Sequence, residues 1–335
     1  MTQKIALAYA NPDEITLERG VLGDADFELI AAKGGLVTGK PLDDPEIWPL
    51  VQDASALLTG LHVVSGELMD QMPNLQLITR VGTGYDAIDF KAAEERGIWV
   101  TNVPDYSIDE VSAHAIALTL GLVRHLFEHR QTGQPNTWRY MGDTPILRLS
   151  NLTYGIVGLG RIGKASARKA AGLGMKVIAY DPYIPAEDFE SVGATSVDFD
   201  TLMSTADIVS LHVLLNDETR GMIDARALSL MKPTAFIVNT ARGPVIDVPA
   251  LVEAVREKRI AGAGIDVLPV EPCPVDDPVL HEPNIVVTPH LAASSVEAVR
   301  DVRQRGIEEA MRVLSGNPPK YPVNQPANPR NGASS

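Results

Sequence analysis

The sequence predicts an α/β protein of two doubly wound parallel-sheet domains, one inserted into the other. Three observations carry that expectation. Strand-like and helix-like runs alternate almost from end to end, as βαβ units require. At 335 residues the chain is long for a single core. A glycine fingerprint of the kind that opens a sheet domain lies mid-chain at Gly158, so something else occupies the residues before it.

From the N-terminus, residues 4–9, 54–58, 75–81 and 98–101 read as buried strands, and residues 66–72 and 87–96 have helical spacing. A long helix follows, in which Val111, Ala115, Leu118, Leu122 and Leu126 recur at threes and fours. Ser107 stands at its start with Glu110 three residues on, the pattern of a capping box. Residues 133–150 are polar, Pro-containing and irregular, and read as a loop or arm. A second βα series runs from Thr153 to His290, with strands expected at 154–157, 176–180, 208–213, 235–239, 263–267 and 285–288. Residues 294–314 form another amphipathic helix through Val296, Val299, Ile307, Met311 and Leu314. The last stretch, 324–335, is rich in Pro, Asn, Gly and Ser and is expected to be disordered.

Composition narrows the function classes. The chain is 45% apolar and 21% charged, as a soluble globular protein is, with a net charge of -14. That charge repels phosphate backbones and acidic membranes, so neither nucleic acid nor a membrane is an expected partner. It also repels a small anionic substrate, so an anion site needs local cations or backbone N–H groups. The single cysteine, Cys273, has no internal partner and reads as a loop thiol of a reducing compartment. The apolar run 5–10 is too short for a signal segment or a membrane span, which makes the cytoplasm the expected location. No metal site is expected.

Gly158-Leu159-Gly160-Arg161-Ile162-Gly163 follows the apolar strand Gly155-Ile156-Val157 and precedes a helix, and the next strand ends at Asp181, eighteen residues past Gly163. This is the Rossmann-like pattern: one glycine for the tight turn, one for approach of the pyrophosphate, one for helix–strand packing. The free N–H groups of the helix start then face the phosphates, and the acid at the strand end faces the ribose hydroxyls. Glycines serving only helix packing would leave Asp181 unexplained. Asp181 repels a 2′-phosphate and Pro182-Tyr183 supply no base, so NAD is expected over NADP.

Three charged or titratable residues lie just past expected strand ends, where open α/β sheets bind ligands: Arg242, Glu271 and His290. Singly, each has a bland reading as a loop cation, a turn acid or a strand-end histidine. Together with a nicotinamide site they meet the needs of hydride transfer to a 2-oxo acid. His290 is a proton donor for the carbonyl, Arg242 a fork for the carboxylate, and Glu271 tunes the donor.

At this point the chain resembles a known family, the D-isomer-specific 2-hydroxyacid dehydrogenases. The residues that carry the likeness are Val81-Gly82-Thr83-Gly84-Tyr85-Asp86-Ala87-Ile88-Asp89, the Gly158 loop, residues 239–243, residues 266–272 and Thr288-Pro289-His290. The resemblance implies a substrate domain of residues 1–102 and 293–335, an NAD domain of residues 103–292, and a homodimer to which the long helix and the 133–150 arm contribute. It implies that His290 is the acid/base, that Glu271 favours its imidazolium form, and that Arg242 with the Thr83 and Gly84 N–H groups binds the substrate carboxylate. Gly158, Gly160, Arg161, Ile162 and Gly163 then meet the pyrophosphate and Asp181 the adenine ribose. His212 and Thr219 belong to the cofactor pocket, with Thr240 and Asp266 on its nicotinamide side.

Departures from the pattern are informative. Leu214 stands where many members have proline, which alters the adenine-side loop. Leu291-Ala292-Ala293 replace the smaller residues that often follow the histidine. Glu271 separates the chain from the related formate dehydrogenases, which carry glutamine. No arginine occupies Gly60-Leu61-His62-Val63, which weighs against a phosphorylated substrate. Residues 109–120 and 180–185 look like the C-terminal-binding-protein corepressors, so the alternative function is an NAD(H)-sensing dimer with little turnover.

Overall fold

A computed structural model describes residues 2–32, 40–129 and 146–332. The chain divides into two compact units, Met1–Tyr106 with Ser295–Ser335, and Ser107–Ser294.

In the first unit, β1 (Gln3–Leu7), β2 (Phe27–Ala31), β3 (Ala56–Thr59), β4 (Leu77–Arg80) and β5 (Trp99–Thr101) form a parallel sheet in the order β2-β1-β3-β4-β5. Successive residues alternate between two cores. Ile5, Leu7, Ala56, Leu58, Leu77 and Trp99 face one, while Ala6, Leu57, Ile78 and Val100 face the other. With both faces covered, the inner strands read as continuous apolar runs. The sequence pattern does not mark β2, because an edge strand carrying Glu28 in mid-run is only partly buried. The helix Val296–Leu314 lays Val302, Ile307, Ala310 and Val313 on the sheet. Its Arg303 pairs with the fully buried Glu18 (Nε–Oε1 2.6 Å), which also accepts a bond from Tyr9 Oη at 2.8 Å.

The expected disorder of 324–335 is overturned as far as residue 332. Asn324 is buried, accepting from Val100 N at 2.8 Å and donating to Ile98 O at 2.9 Å. Arg330 donates to the carbonyls of Leu75 and Arg96, and Asn331 accepts from Trp99 Nε1. Polar composition misled because the open edge of β5 needs hydrogen-bond partners, and these side chains supply them.

In the second unit, β6 (Thr153–Val157), β7 (Lys176–Tyr180), β8 (Thr195–Ser196), β9 (Ile208–Leu211), β10 (Phe236–Asn239), β11 (Gly262–Ile265) and β12 (Ile285–Val287) form a parallel sheet, ordered β12-β11-β10-β9-β6-β7-β8. The chain runs outward from β6 to β8 and then returns to β9 on its other side. The switch point of the sheet therefore lies at the C-terminal end of β6, where ligands bind in such folds. The long helix Ile108–Val123 seats against β10, β11 and the helix Arg161–Gly172. Gly264 makes this fit possible, since a Cβ there would lie 3.1 Å from Leu118 Cβ.

Two details of the long helix differ from expectation. Ser107 holds the N-cap position with ψ 26, not extended, so its hydroxyl makes no cap bond. Leu126 is exposed and outside the helix, because His125 takes φ 52 and turns the chain away. Most of the expected 133–150 arm lies outside the described residues. No described helix is long and apolar enough to cross a membrane.

Candidate active site

The glycine loop follows β6 directly. Gly158 takes φ 91, and a Cβ there would lie 2.9 Å from the backbone carbonyl of His212. A Cβ on Gly163 would lie 2.2 Å from Gly158 O, so only glycine lets the helix close on the loop. Over Gly160, by contrast, nothing stands within 4 Å of an added Cβ. Gly160 is the N-cap of Arg161–Gly172 and offers no capping side chain, leaving the first turn open to an anion. Arg161 is exposed and Ile162 half-buried at that turn. Asp181 ties the far side together, accepting from Leu159 N at 2.8 Å and from Tyr183 N at 3.0 Å. A carboxylate has lone pairs left for ribose hydroxyls after two such bonds.

A second acid stands at the same end. Tyr183 donates its hydroxyl to Glu218, which sequence spacing did not reveal because the two lie far apart in the chain. Thr219 closes the turn after Leu214: its hydroxyl donates to Leu214 O at 2.5 Å and accepts from Asn216 N at 2.9 Å. His212 bonds Ser210 Oγ through Nε2 at 3.0 Å, and burial lowers its pKa to about 4, so it is neutral. Thr240 Oγ1 is buried and, among the described residues, lacks a hydrogen-bond partner. An orphaned hydroxyl, an open helix start and an acid at the next strand end together fit a dinucleotide.

The catalytic candidates sit on three neighbouring loops. Past β10, Asn239 staples its own turn, donating to Arg242 O at 2.9 Å and accepting from Ala241 N at 3.0 Å, which fixes Arg242. Gly243 then meets the loop past β11, and a Cβ there would lie 2.0 Å from the Leu268 carbonyl carbon. That contact keeps Arg242 near Glu271. Glu271 uses both oxygens: Oε1 accepts from Leu268 N at 2.8 Å, and Oε2 lies 2.6 Å from His290 Nδ1. Burial alone would raise the Glu271 carboxyl. The His290 hydrogen bond and charge, the Leu268 N–H and the Arg242 charge outweigh it and hold the carboxyl below its ordinary range.

His290 follows β12 with φ 50, a left-handed conformation that costs a non-glycine residue on the order of 1–3 kcal/mol. Its N–H donates to the backbone oxygens of Asp266 (2.8 Å) and Thr288 (3.0 Å). The buried Asp266 carboxylate accepts from Leu291 N at 3.0 Å, from Ala292 N at 2.9 Å and from Thr288 Oγ1 at 2.6 Å. Asp266 thus shapes the turn that carries His290, a job that its sequence position did not suggest.

Thr83 and Gly84 belong to the first unit, on the loop after β4. That loop is pinned to the segment after β5: Asn102 Nδ2 donates to Thr83 O at 2.6 Å and Val103 N to Gly82 O at 3.0 Å. The loop 60–63 has no arginine, but Arg80 at the end of the adjacent strand is buried at the foot of the Thr83 loop. A Cβ on Gly82 would lie 2.5 Å from Arg80 Nη1. Burial, followed by the Arg80 charge, lowers the pKa of His62.

The family model "D-isomer specific 2-hydroxyacid dehydrogenase, NAD binding domain" matches residues 116–292. The chain belongs to the D-isomer-specific 2-hydroxyacid dehydrogenases. As in that family, residues 116–292 form an NAD-binding domain, and NAD is its cofactor. Among its relatives, the glyoxylate reductase of Korarchaeum cryptofilum is 39% identical over 281 residues, 82% of this chain and 84% of that one. The D-3-phosphoglycerate dehydrogenase of Archaeoglobus fulgidus is 37% identical over 267 residues, 79% of this chain. The match covers 50% of that longer relative, so the chain spans about half its length. Among solved structures, the D-lactate dehydrogenase of Aquifex aeolicus, complexed with NAD and lactic acid, gives a TM-score of 0.83 at 26% identity. That match covers 94% of this chain and 96% of the other.

Proposed function

We propose that the protein is an NAD-dependent reductase of a small 2-oxo acid, forming the D-2-hydroxy acid and running in reverse with the hydroxy acid. The observation that carries the assignment is the 2.6 Å contact between Glu271 and His290, with the Arg242 charge acting on the same carboxylate. His290 bonds Glu271 through Nδ1, which leaves Nε2 as the nitrogen that protonates the substrate carbonyl oxygen in reduction. It takes the hydroxyl proton in oxidation. Arg242 holds the carboxylate and polarises the C2 carbonyl, and Thr83 and Gly84 are assigned to substrate binding.

Bound NADH supplies the hydride. Gly158, Gly160, Arg161, Ile162 and Gly163 would hold its pyrophosphate and Asp181 its ribose, with His212, Thr219, Thr240 and Asp266 assigned to the rest of the pocket. A homodimer in the cytoplasm is the assembly and location we assign. The test is NADH oxidation against glyoxylate, hydroxypyruvate, pyruvate and bulkier 2-oxo acids, with His290→Ala in parallel. Turnover lost in His290→Ala while NADH still binds supports the assignment. Absence of turnover across the panel would leave the NAD(H)-sensing alternative standing.

A further inference from the structure

A fourth group reaches the carboxylate that shapes the His290 turn. His114 lies on the helix Ile108–Val123, far in sequence from every residue assigned above, with Nε2 at 3.0 Å from Thr288 Oγ1. We propose that His114 is a positioning residue that locks the catalytic turn to this helix through Thr288 and Asp266. The proposal rests on the assignment of His290 as acid/base.

The direction of the bonds follows from the proton count. Thr288 Oγ1 donates its only proton to Asp266 Oδ1 at 2.6 Å, so toward His114 it accepts. His114 Nε2 therefore carries the proton in this contact. The same nitrogen lies 3.5 Å from Asp266 Oδ1, too far for a good direct bond, so Thr288 is the working link. Asp266 passes the constraint on, because its side chain holds Leu291 N and Ala292 N while its carbonyl holds His290 N. One chain of hydrogen bonds thus runs from a helix to the backbone on both sides of the acid/base. It supports a φ of 50 that His290 would not adopt unaided.

The helix is a firm anchor. Leu118, one turn beyond His114 on the same face, presses on Gly264 of β11, the strand that leads into Asp266. His114 and Asp266 are therefore set at a fixed separation by packing, and the Thr288 hydroxyl spans it. The side chain of His114 is 18% exposed and that of Asp266 1%, so water does not readily substitute for the lost donor.

The experiment compares wild type with His114→Ala, His114→Gln, Thr288→Val, the double variant His114→Ala/Thr288→Val, and His290→Ala. For each, kcat and KM are measured in both directions, with NADH and the 2-oxo acid turned over best by wild type and with NAD and the corresponding 2-hydroxy acid, together with the NADH Kd and Tm. His114→Ala is expected to lower kcat about fivefold to twentyfold in both directions with the NADH Kd changed less than about twofold. Thr288→Val should match it, and the double variant should lose no more than either alone, because one chain of bonds is broken in each. His114→Gln, which restores an N–H donor, should recover most of the loss. Thr288→Val carries the test if His114→Ala does not fold. Wild-type kcat in both single variants overturns the proposal, as do losses that add in the double variant. Turnover retained by His290→Ala would instead sink the acid/base assignment itself.

Discussion

Glu271→Gln is the sharpest probe of the proposed acid/base pair. The carboxylate has two acceptor oxygens and both are used, one by Leu268 N at 2.8 Å and one by His290 at 2.6 Å. An amide has one acceptor oxygen. Whichever way glutamine turns, either the Leu268 N–H or the His290 Nδ1–H loses its acceptor, and the charge is lost in both orientations. His290 helps keep Glu271 ionised through its hydrogen bond and its charge. Hydrogen bonds to a charged group contribute roughly 1.5–3 kcal/mol against roughly 0.5–1.5 for neutral ones, so the substitution removes about 1–2 kcal/mol. At about 1.4 kcal/mol per pH unit, the pH at which reduction falls to half should move down by about one unit. Because the Glu271 carboxyl titrates below its ordinary range, it stays ionised throughout a neutral assay window. The assay is kcat/KM for 2-oxo acid reduction and hydroxy acid oxidation from acid to alkaline pH in both proteins. Reduction should suffer most at alkaline pH, and both midpoints should shift together. Coincident midpoints in wild type and Glu271→Gln would refute the reasoning, because a carboxylate that tunes the acid cannot lose its charge without effect.

Three further outcomes follow from other parts of the structure. NADH should give a kcat/KM at least about tenfold above NADPH, since Asp181 at the strand end repels a 2′-phosphate and Glu218 adds a second charge nearby; equal use of the two would remove Asp181 from the ribose site. Arg242→Lys should lower kcat/KM by about 10²-fold or more, because an ammonium cannot reproduce the planar fork; a variant with wild-type kinetics would take Arg242 out of the site. Arg303→Met should cost about 3–5 kcal/mol in denaturant unfolding by stranding the buried Glu18, and a loss below about 1 kcal/mol would show that water relieves it.

How much of this was legible before the fold was known depends on how far apart the interacting residues lie. The Gly158 loop, Asp181 and the strand ends at Arg242, Glu271 and His290 could be read directly, because each is a local pattern of turn chemistry beside an apolar run. The inserted arrangement was equally legible from the mid-chain position of Gly158. Helix starts and tails were less so. Ser107 and Glu110 have the letters of a capping box, but backbone geometry around Ser107 prevents the bond. Residues 324–332 have the composition of a disordered tail, yet they pair with the open edge of β5.

Sequence by itself determined the chemistry available: which residues can donate a proton, grip a carboxylate, or admit a phosphate close to the backbone. Such properties belong to single side chains and short runs, so they survive without a fold. Tertiary structure alone decided which groups meet. Gly243 presses against Leu268 and so brings Arg242 toward Glu271, and Tyr183 reaches Glu218. Asp266 spends its carboxylate on the His290 turn, and His114 touches Thr288 from a helix that begins the same unit. Each of these contacts joins residues that packing brings together from distant parts of the chain. A hydrogen bond between them is set by the placement of sheet and helix, which no local spacing encodes.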